Sequence, residues 1–75
     1  MNVLRKDKLK KIAEQLKHII ILIDSVKMEE ERVFDNIPEN LQYSKRGEES
    51  QEAIDTLEEV IELLEEAVVG IKTIV

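Results

Sequence analysis

The residues with the greatest chemical potential in this chain of 75 residues are a single histidine and seventeen Asp and Glu side chains. His18 follows Glu14 by four positions, a spacing that makes the two side chains neighbours on one face of a helix. A di-iron carboxylate site needs inward Glu and Glu-x-x-His pairs, a different spacing. Counted in heptads from Leu9 at position a, His18 is at the outward position c. We therefore interpret this pair as a surface hydrogen bond and predict no metal site.

Other ingredients of catalysis are absent from the sequence. It has no cysteine and only two glycines, so it offers neither a thiol nucleophile nor a Gly-rich loop for phosphate. We predict a protein that is not an enzyme, with no cofactor and no small-molecule substrate. Glu30 is the one acid expected on an apolar helix seam. We expect its carboxylate to reach solvent or a partner at the rim, with a contact that fixes helix register as the alternative.

Two apolar stripes, with residues spaced alternately three and four apart, predict two long helices. Such a period is typical of a coiled-coil seam, formed by heptad positions a and d. The first stripe comprises Leu9, Ile12, Leu16, Ile19, Ile23, Val26, Glu30, Val33 and Ile37, and the second comprises Ile54, Leu57, Ile61, Leu64, Val68, Ile71 and Val75. The predicted fold class is all-α.

The break between the helices is predicted at Pro38, which lacks an amide proton and disfavours helix at the residue before it. Ser44 and Gly47 mark the start of the second helix. Two helices of similar length joined by a short connection favour an antiparallel hairpin. We predict one domain spanning residues 1–75, with a helix over about 5–36, a connection over about 37–44 and a helix over about 45–74.

The apolar faces are wider than one partner helix can cover. In the first helix, Ala13, Ile20 and Phe34 at position e extend the seam, and the second helix has a full row at position g. Such three-position stripes are typical of helix bundles, so we predict a homodimer that forms a four-helix bundle. The candidate self-association residues are Ile20, Ile21, Leu22, Val60, Ala67 and Ile74.

The connection is more specific in composition than a simple turn requires. We expect Asp35 or Asn36 to cap a short turn that starts at Pro38, with Leu41 folded back onto the bundle end. The alternative is a mobile loop that displays an aromatic anchor to an unidentified protein partner. The candidate partner-binding residues are Phe34, Asp35, Asn36, Pro38, Glu39, Asn40, Leu41, Gln42 and Tyr43.

Charge is segregated along the chain. Residues 1–18 hold six Lys or Arg and two acids, whereas residues 48–67 hold nine acids and no base. We interpret these charges as solvated faces that set helix pairing and solubility. An alternative is an acidic inhibitor that imitates nucleic acid and blocks a host complex that handles it; direct nucleic-acid binding is not expected. The longest apolar run, five residues at Ile19–Ile23, predicts no membrane span, and the lack of cysteine fits a cytoplasmic protein.

The connection also carries a resemblance. The stretch Asp35-Asn36-Ile37-Pro38-Glu39-Asn40-Leu41-Gln42, followed by Ser44, Gly47 and a Leu/Glu-rich helix, resembles a family of small uncharacterised helical-hairpin proteins of Gram-positive bacteria and their phages. It covers roughly residues 29–67. The resemblance implies a cytoplasmic protein related to phages or mobile elements, and it implies no catalytic or binding residue.

Overall fold

The computed structural model describes residues 1–75 as two long helices that pack against each other along their length. Helix α1 spans Val3–Asp35, a single 3₁₀ turn spans Glu39–Leu41, and helix α2 spans Lys45–Lys72. Contacts between Glu30 and Ser50 near the connection and between Lys27 and Glu58 farther along show that the helices run antiparallel. The hairpin measures 58 × 15 × 12 Å. The predicted all-α helical hairpin is confirmed.

The helix ends follow from capping chemistry. Helix α1 begins at Val3, two residues before the predicted start, because Asn2 Oδ1 accepts a hydrogen bond of 2.9 Å from the Arg5 amide. Helix α2 begins at Lys45 as predicted, with Ser44 Oγ accepting from the Gly47 amide at 3.4 Å. It ends at Lys72, two residues before the predicted end. Neither helix has the length and apolar character that a membrane span requires.

The connection forms a hydrogen-bonded turn, but it is built differently from the prediction. The Leu41 amide donates to the Pro38 carbonyl at 2.7 Å, and Pro38 rather than Asp35 or Asn36 precedes the turn, without a side-chain cap. Leu41 is 48% exposed, so the expectation that it folds back onto the hairpin end is wrong. Ile37 is buried there instead, because it continues the buried row of α1 by one more turn.

Gly47 is required by the close approach of the connection to α2. A Cβ atom at this position would overlap the backbone carbonyl of Gln42. The Gln42 side chain also ties the connection to the end of α1, because its Nε2 donates to the Ile37 carbonyl at 3.3 Å. These contacts bring the chain back over the end of α1, so that α2 starts beside it.

The α1–α2 contact confirms the predicted seam in α2 and corrects it in α1. In α2, positions a and d are buried or half-buried throughout. In α1, the protected rows are a and e: Leu9, Ala13, Leu16, Ile20, Ile23, Lys27, Glu30, Phe34 and Ile37. The d row of α1, formed by Ile12, Ile19, Val26 and Val33, is 42% to 55% exposed. The prediction that this row lies in the hairpin seam is therefore wrong.

The rotation of α1 has a physical reason in the residues beside the seam. Helix α2 carries the charged residues Glu58, Glu65 and Lys72 in its e row. With an a/d seam in α1, apolar side chains such as Ile20 and Phe34 would border that charged row. With the a/e seam, Ile20 and Phe34 are protected between the helices, and the charged b row of α1 borders the charged row of α2 instead.

A candidate self-association surface

One side of the hairpin is polar, and its ion pairs show which row of each helix forms it. The b row of α1 contains Lys17, Asp24 and Glu31, each seven residues from the next, and the e row of α2 repeats in the same way. Lys27, at the seam, bridges these rows: its Nζ lies 3.6 Å from Asp24, 3.6 Å from Glu31 and 3.8 Å from Glu58. We call this the polar side of the hairpin.

The electrostatics of Lys27 follow from this position. Its side chain is only 19% exposed. Partial burial acts to lower the pKa of Lys27, but the charges of Glu31, Asp24 and Glu58 outweigh it, so the pKa is raised above its usual value. A cation at a seam position is thus satisfied by three carboxylates from both helices.

Nearer the chain termini, two cations meet on the polar side. The Lys17 ammonium can donate a hydrogen bond only to the neutral amine of Lys72, and this preference together with the charge of Lys17 lowers the pKa of Lys72. The pKa of Lys17 is raised, first by its hydrogen bond to Lys72 and then by Glu14, whose Oε1 lies 3.1 Å from Lys17 Nζ. Glu14 therefore pairs with Lys17, and the predicted hydrogen bond between Glu14 and His18 is not formed.

The opposite side of the hairpin is apolar. On α1 the d row lies across the seam from the charged b row, and on α2 the g row lies across it from the charged e row. In an antiparallel pair of helices, these two outer rows border the same side of the seam. We call them together the apolar face, which comprises Ile12, Ile19, Val26 and Val33 of α1 and Ala53, Val60, Ala67 and Ile74 of α2.

The apolar face is continuous and largely uncovered. Its α1 row is about half exposed at every turn, and in α2 only Val60 is half-buried while the other three residues are exposed. Leu22 and Leu63, 53% and 64% exposed, widen its two margins. This stripe follows most of the hairpin, which is more than the scattered single apolar residues that a monomer normally exposes.

The surface area of the whole chain gives the same picture. Only seven of the 75 residues are buried, and no large side chain is fully enclosed. The accessible surface is 5802 Å², about 1,100 Å² more than the roughly 4,700 Å² expected of a folded monomer of 8.7 kDa. A standard protein interface covers about 800 Å² on each partner. The excess is therefore on the scale of one complete interface.

Inside the seam, one polar contact joins the helices near the connection. Ser50 Oγ donates to Glu30 Oε1 at 2.8 Å, and Ser50 is only 5% exposed. Glu30 thus contacts the other helix, which was the alternative in the sequence analysis, and does not face solvent alone. Since the neighbouring seam positions of α2 are apolar, this pair distinguishes the observed register from slipped ones.

The six predicted self-association residues separate into three groups. Leu22, Val60, Ala67 and Ile74 lie on the apolar face or at its margin, and Ile20 is half-buried in the seam. Ile21 lies on the polar side, where it lines a shallow groove with Lys17, Glu65 and Val69. The d row of α1 was not among these predicted residues, because the heptad pattern had assigned that row to the seam.

The predicted partner-binding residues all lie at the connection end, but they do not form one surface. Asn36, Pro38 and Leu41 line a shallow depression with Val33, Ile37, Ser44 and Arg46. Phe34 and Gln42 are half-buried and serve the packing of the hairpin end. Tyr43 is 87% exposed, and Asp35, Glu39 and Asn40 are exposed as well.

No group of three or more His, Asp or Glu side chains is placed to hold a metal ion. Comparison of the chain with protein-family models, with curated proteins and with solved structures finds no match. The surface of the hairpin is therefore the basis for a functional proposal.

Proposed function

We propose that this protein is a non-catalytic, self-associating helical hairpin whose apolar face packs against a second copy to form a four-helix bundle. The observation that carries the proposal is the apolar face itself, a continuous row on each helix that the hairpin leaves uncovered. Covering it would give each helix two helical neighbours, which is the environment of a helix in a four-helix bundle.

A second copy is the occupant that requires the fewest assumptions. The face repeats every seven residues on both helices, so an identical face is complementary to it in period. Its residues are aliphatic and bear no charge, so the face makes no demand for a partner of opposite charge. The excess surface of about 1,100 Å² per chain is enough for the roughly 800 Å² that each partner buries in a standard interface.

The test compares a charge placed on the apolar face with the same charge placed elsewhere on α1. Sedimentation equilibrium at micromolar concentration should show a dimer for the unmodified chain. Ile19→Lys should give a monomer, because a lysine buried in the interface has no partner. Ile21→Lys is the matched control, since Ile21 is 65% exposed on the polar side, and it should remain a dimer.

A monomeric unmodified chain would contradict the proposal, and so would a dimer that survives Ile19→Lys. Should Ile21→Lys dissociate the dimer while Ile19→Lys leaves it intact, the association surface would be the polar side. Circular dichroism of each variant distinguishes lost association from lost helix.

The connection is proposed as the part of the assembly that contacts another protein. Its shallow depression and the exposed Tyr43 offer apolar contact area next to acidic residues. The resemblance of this segment to hairpin proteins of Gram-positive bacteria and phages supports a cytoplasmic, phage-related setting as part of the same proposal. Tyr43→Ala should abolish capture of that partner from a host lysate while the dimer persists.

A second candidate function rests on α2. All nine acids between residues 48 and 67 are exposed; Glu58 and Glu65 border the seam in the e row, and the other seven lie on the side of α2 that faces away from the seam. Such an array supports an inhibitor that imitates the phosphates of nucleic acid. In that case, partner binding should weaken steeply with salt and depend on these acids rather than on Tyr43.

A further inference from the structure

The hairpin has two electrically different ends, and the structure places the boundary between them. Ile20 lines a groove with Glu65 and Val68, so this level of α1 is opposite the segment of α2 that starts near Leu64. The terminal end, residues 1–20 and 64–75, holds seven Lys or Arg and four acids. The connection end, residues 21–63, holds four Lys or Arg and thirteen acids. The net charges of the two ends are therefore +3 and −9.

We propose that the two copies pair antiparallel, with the connection of one hairpin beside the chain termini of the other. This inference rests on the proposed dimer and adds its geometry. In a parallel dimer, two ends of −9 would lie side by side. In an antiparallel dimer, each −9 end lies beside a +3 end, so like-charge repulsion is replaced by attraction at both ends of the bundle.

Antiparallel pairing has a definite helix arrangement. For two hairpins that pack face to face, a two-fold axis that crosses the helices sets α1 against α1 of the second copy, in opposite directions. The basic first turns of α1, with Arg5 and Lys8, then lie near the acidic end of the second α1, which carries Glu29. A two-fold axis parallel to the helices would set α1 against α2 instead.

The axis of the antiparallel dimer crosses α1 near Ile20, halfway along the hairpin. Ile19 and Leu22 of the two copies then meet at the axis. These residues belong to the most apolar segment of α1, Ile19–Ile23, and both are about half exposed in the single hairpin. At this level, where the apolar surface of α1 is widest, α1 packs against both its own α2 and the second copy.

Spin labelling at the connection measures the orientation directly. The chain has no cysteine, so Tyr43→Cys, at a position 87% exposed, introduces a unique labelling site. Pulsed electron–electron double resonance should give a distance of roughly 50 Å between the labels. The two labels then lie at opposite ends of the bundle, and α1 has 33 residues that rise about 1.5 Å each. A parallel dimer would give less than roughly 30 Å, because adjacent helices lie about 10 Å apart.

A short distance would overturn the antiparallel arrangement while leaving the dimer intact. Absence of any dipolar signal, together with a monomer in sedimentation, would overturn the proposed function as well. Cysteine cross-linking provides a second measurement. Under mild oxidation, Ile19→Cys should form a disulfide-linked dimer and Ile12→Cys should not, because only position 19 lies near the crossing axis. Efficient cross-linking of Ile12→Cys with itself would count against the antiparallel dimer.

Discussion

The two helices carry the same heptad pattern, yet the hairpin uses it differently in each. In α2, both stripe rows lie in the seam, and Ile54, Ile61 and Val68 are buried. In α1, one stripe row lies in the seam, and the other is about half exposed. Periodicity therefore identifies the apolar half of a helix but does not decide which flank of that half meets a given neighbour. The flanking charges decide it here.

The largest effect on stability should come from an isoleucine-to-alanine change in the seam of α2, which we compare with the same change in the exposed d row of α1. Ile54→Ala removes a side chain that is 5% exposed in the seam, and it should lower the free energy of unfolding by about 2–5 kcal/mol. Urea denaturation at several protein concentrations measures this loss, which should be present at every concentration.

Ile19→Ala is the matched change in α1, where the side chain is 42% exposed. It should affect mainly the dimer, so the dependence of the melting temperature on protein concentration should become shallower. If Ile19→Ala cost as much as Ile54→Ala in dilute monomer, the d row of α1 would belong to the seam, and the distinction between the two helices would disappear.

The glycines of α2 provide the next largest effect, and they have opposite environments. Gly47→Ala should destabilise the hairpin by about 1–3 kcal/mol, because its new methyl group overlaps the backbone of Gln42. Gly70→Ala meets nothing within 4 Å and should stabilise the protein by about 0.5–1 kcal/mol through helix propensity. The melting temperatures of the two variants should shift in opposite directions. A shift in the same direction would show that the connection can move to accommodate the methyl group added at Gly47.

The smallest effect concerns Lys27, the cation that α1 places in the seam. Because its pKa is raised in the folded state, its charge stabilises the fold below its usual pKa of 10.5, and this contribution is lost as pH rises through the folded pKa. Lys27→Met keeps the apolar stem and removes the charge.

We expect Lys27→Met to change stability little at pH 7 and to reduce the loss of stability that occurs as pH rises above 10.5 through the raised pKa of this group. Denaturant midpoints across that range give the measurement. Lys72→Met is the control of opposite sign, since the pKa of Lys72 is lowered and its charge opposes folding until it deprotonates. An unchanged alkaline profile in Lys27→Met would show that the three carboxylates do not act on Lys27.

Much of the fold could be predicted from the sequence because its signals are local. The 3/4 spacing of apolar residues, the cap at Ser44 and the proline at position 38 each act within a few residues, and they predict two helices with ends correct to two residues. The sequence could not decide whether Glu30 contacts Ser50. A carboxylate at a seam position reaches either solvent or a partner, depending on which residue of the other helix lies opposite.

The sequence by itself determined the helices, the turn between them, the excess of apolar surface and the opposite charges of the two halves. The tertiary structure decided which rows of α1 face α2, that Ile37 rather than Leu41 closes the hairpin end, and that Gly47 meets the Gln42 backbone. The reason is that these choices depend on pairs of residues far apart in the chain, such as Ile20 with the charged row of α2. Local patterns show which face of each helix is apolar. Only the packing of both helices decides which row of one helix contacts which row of the other.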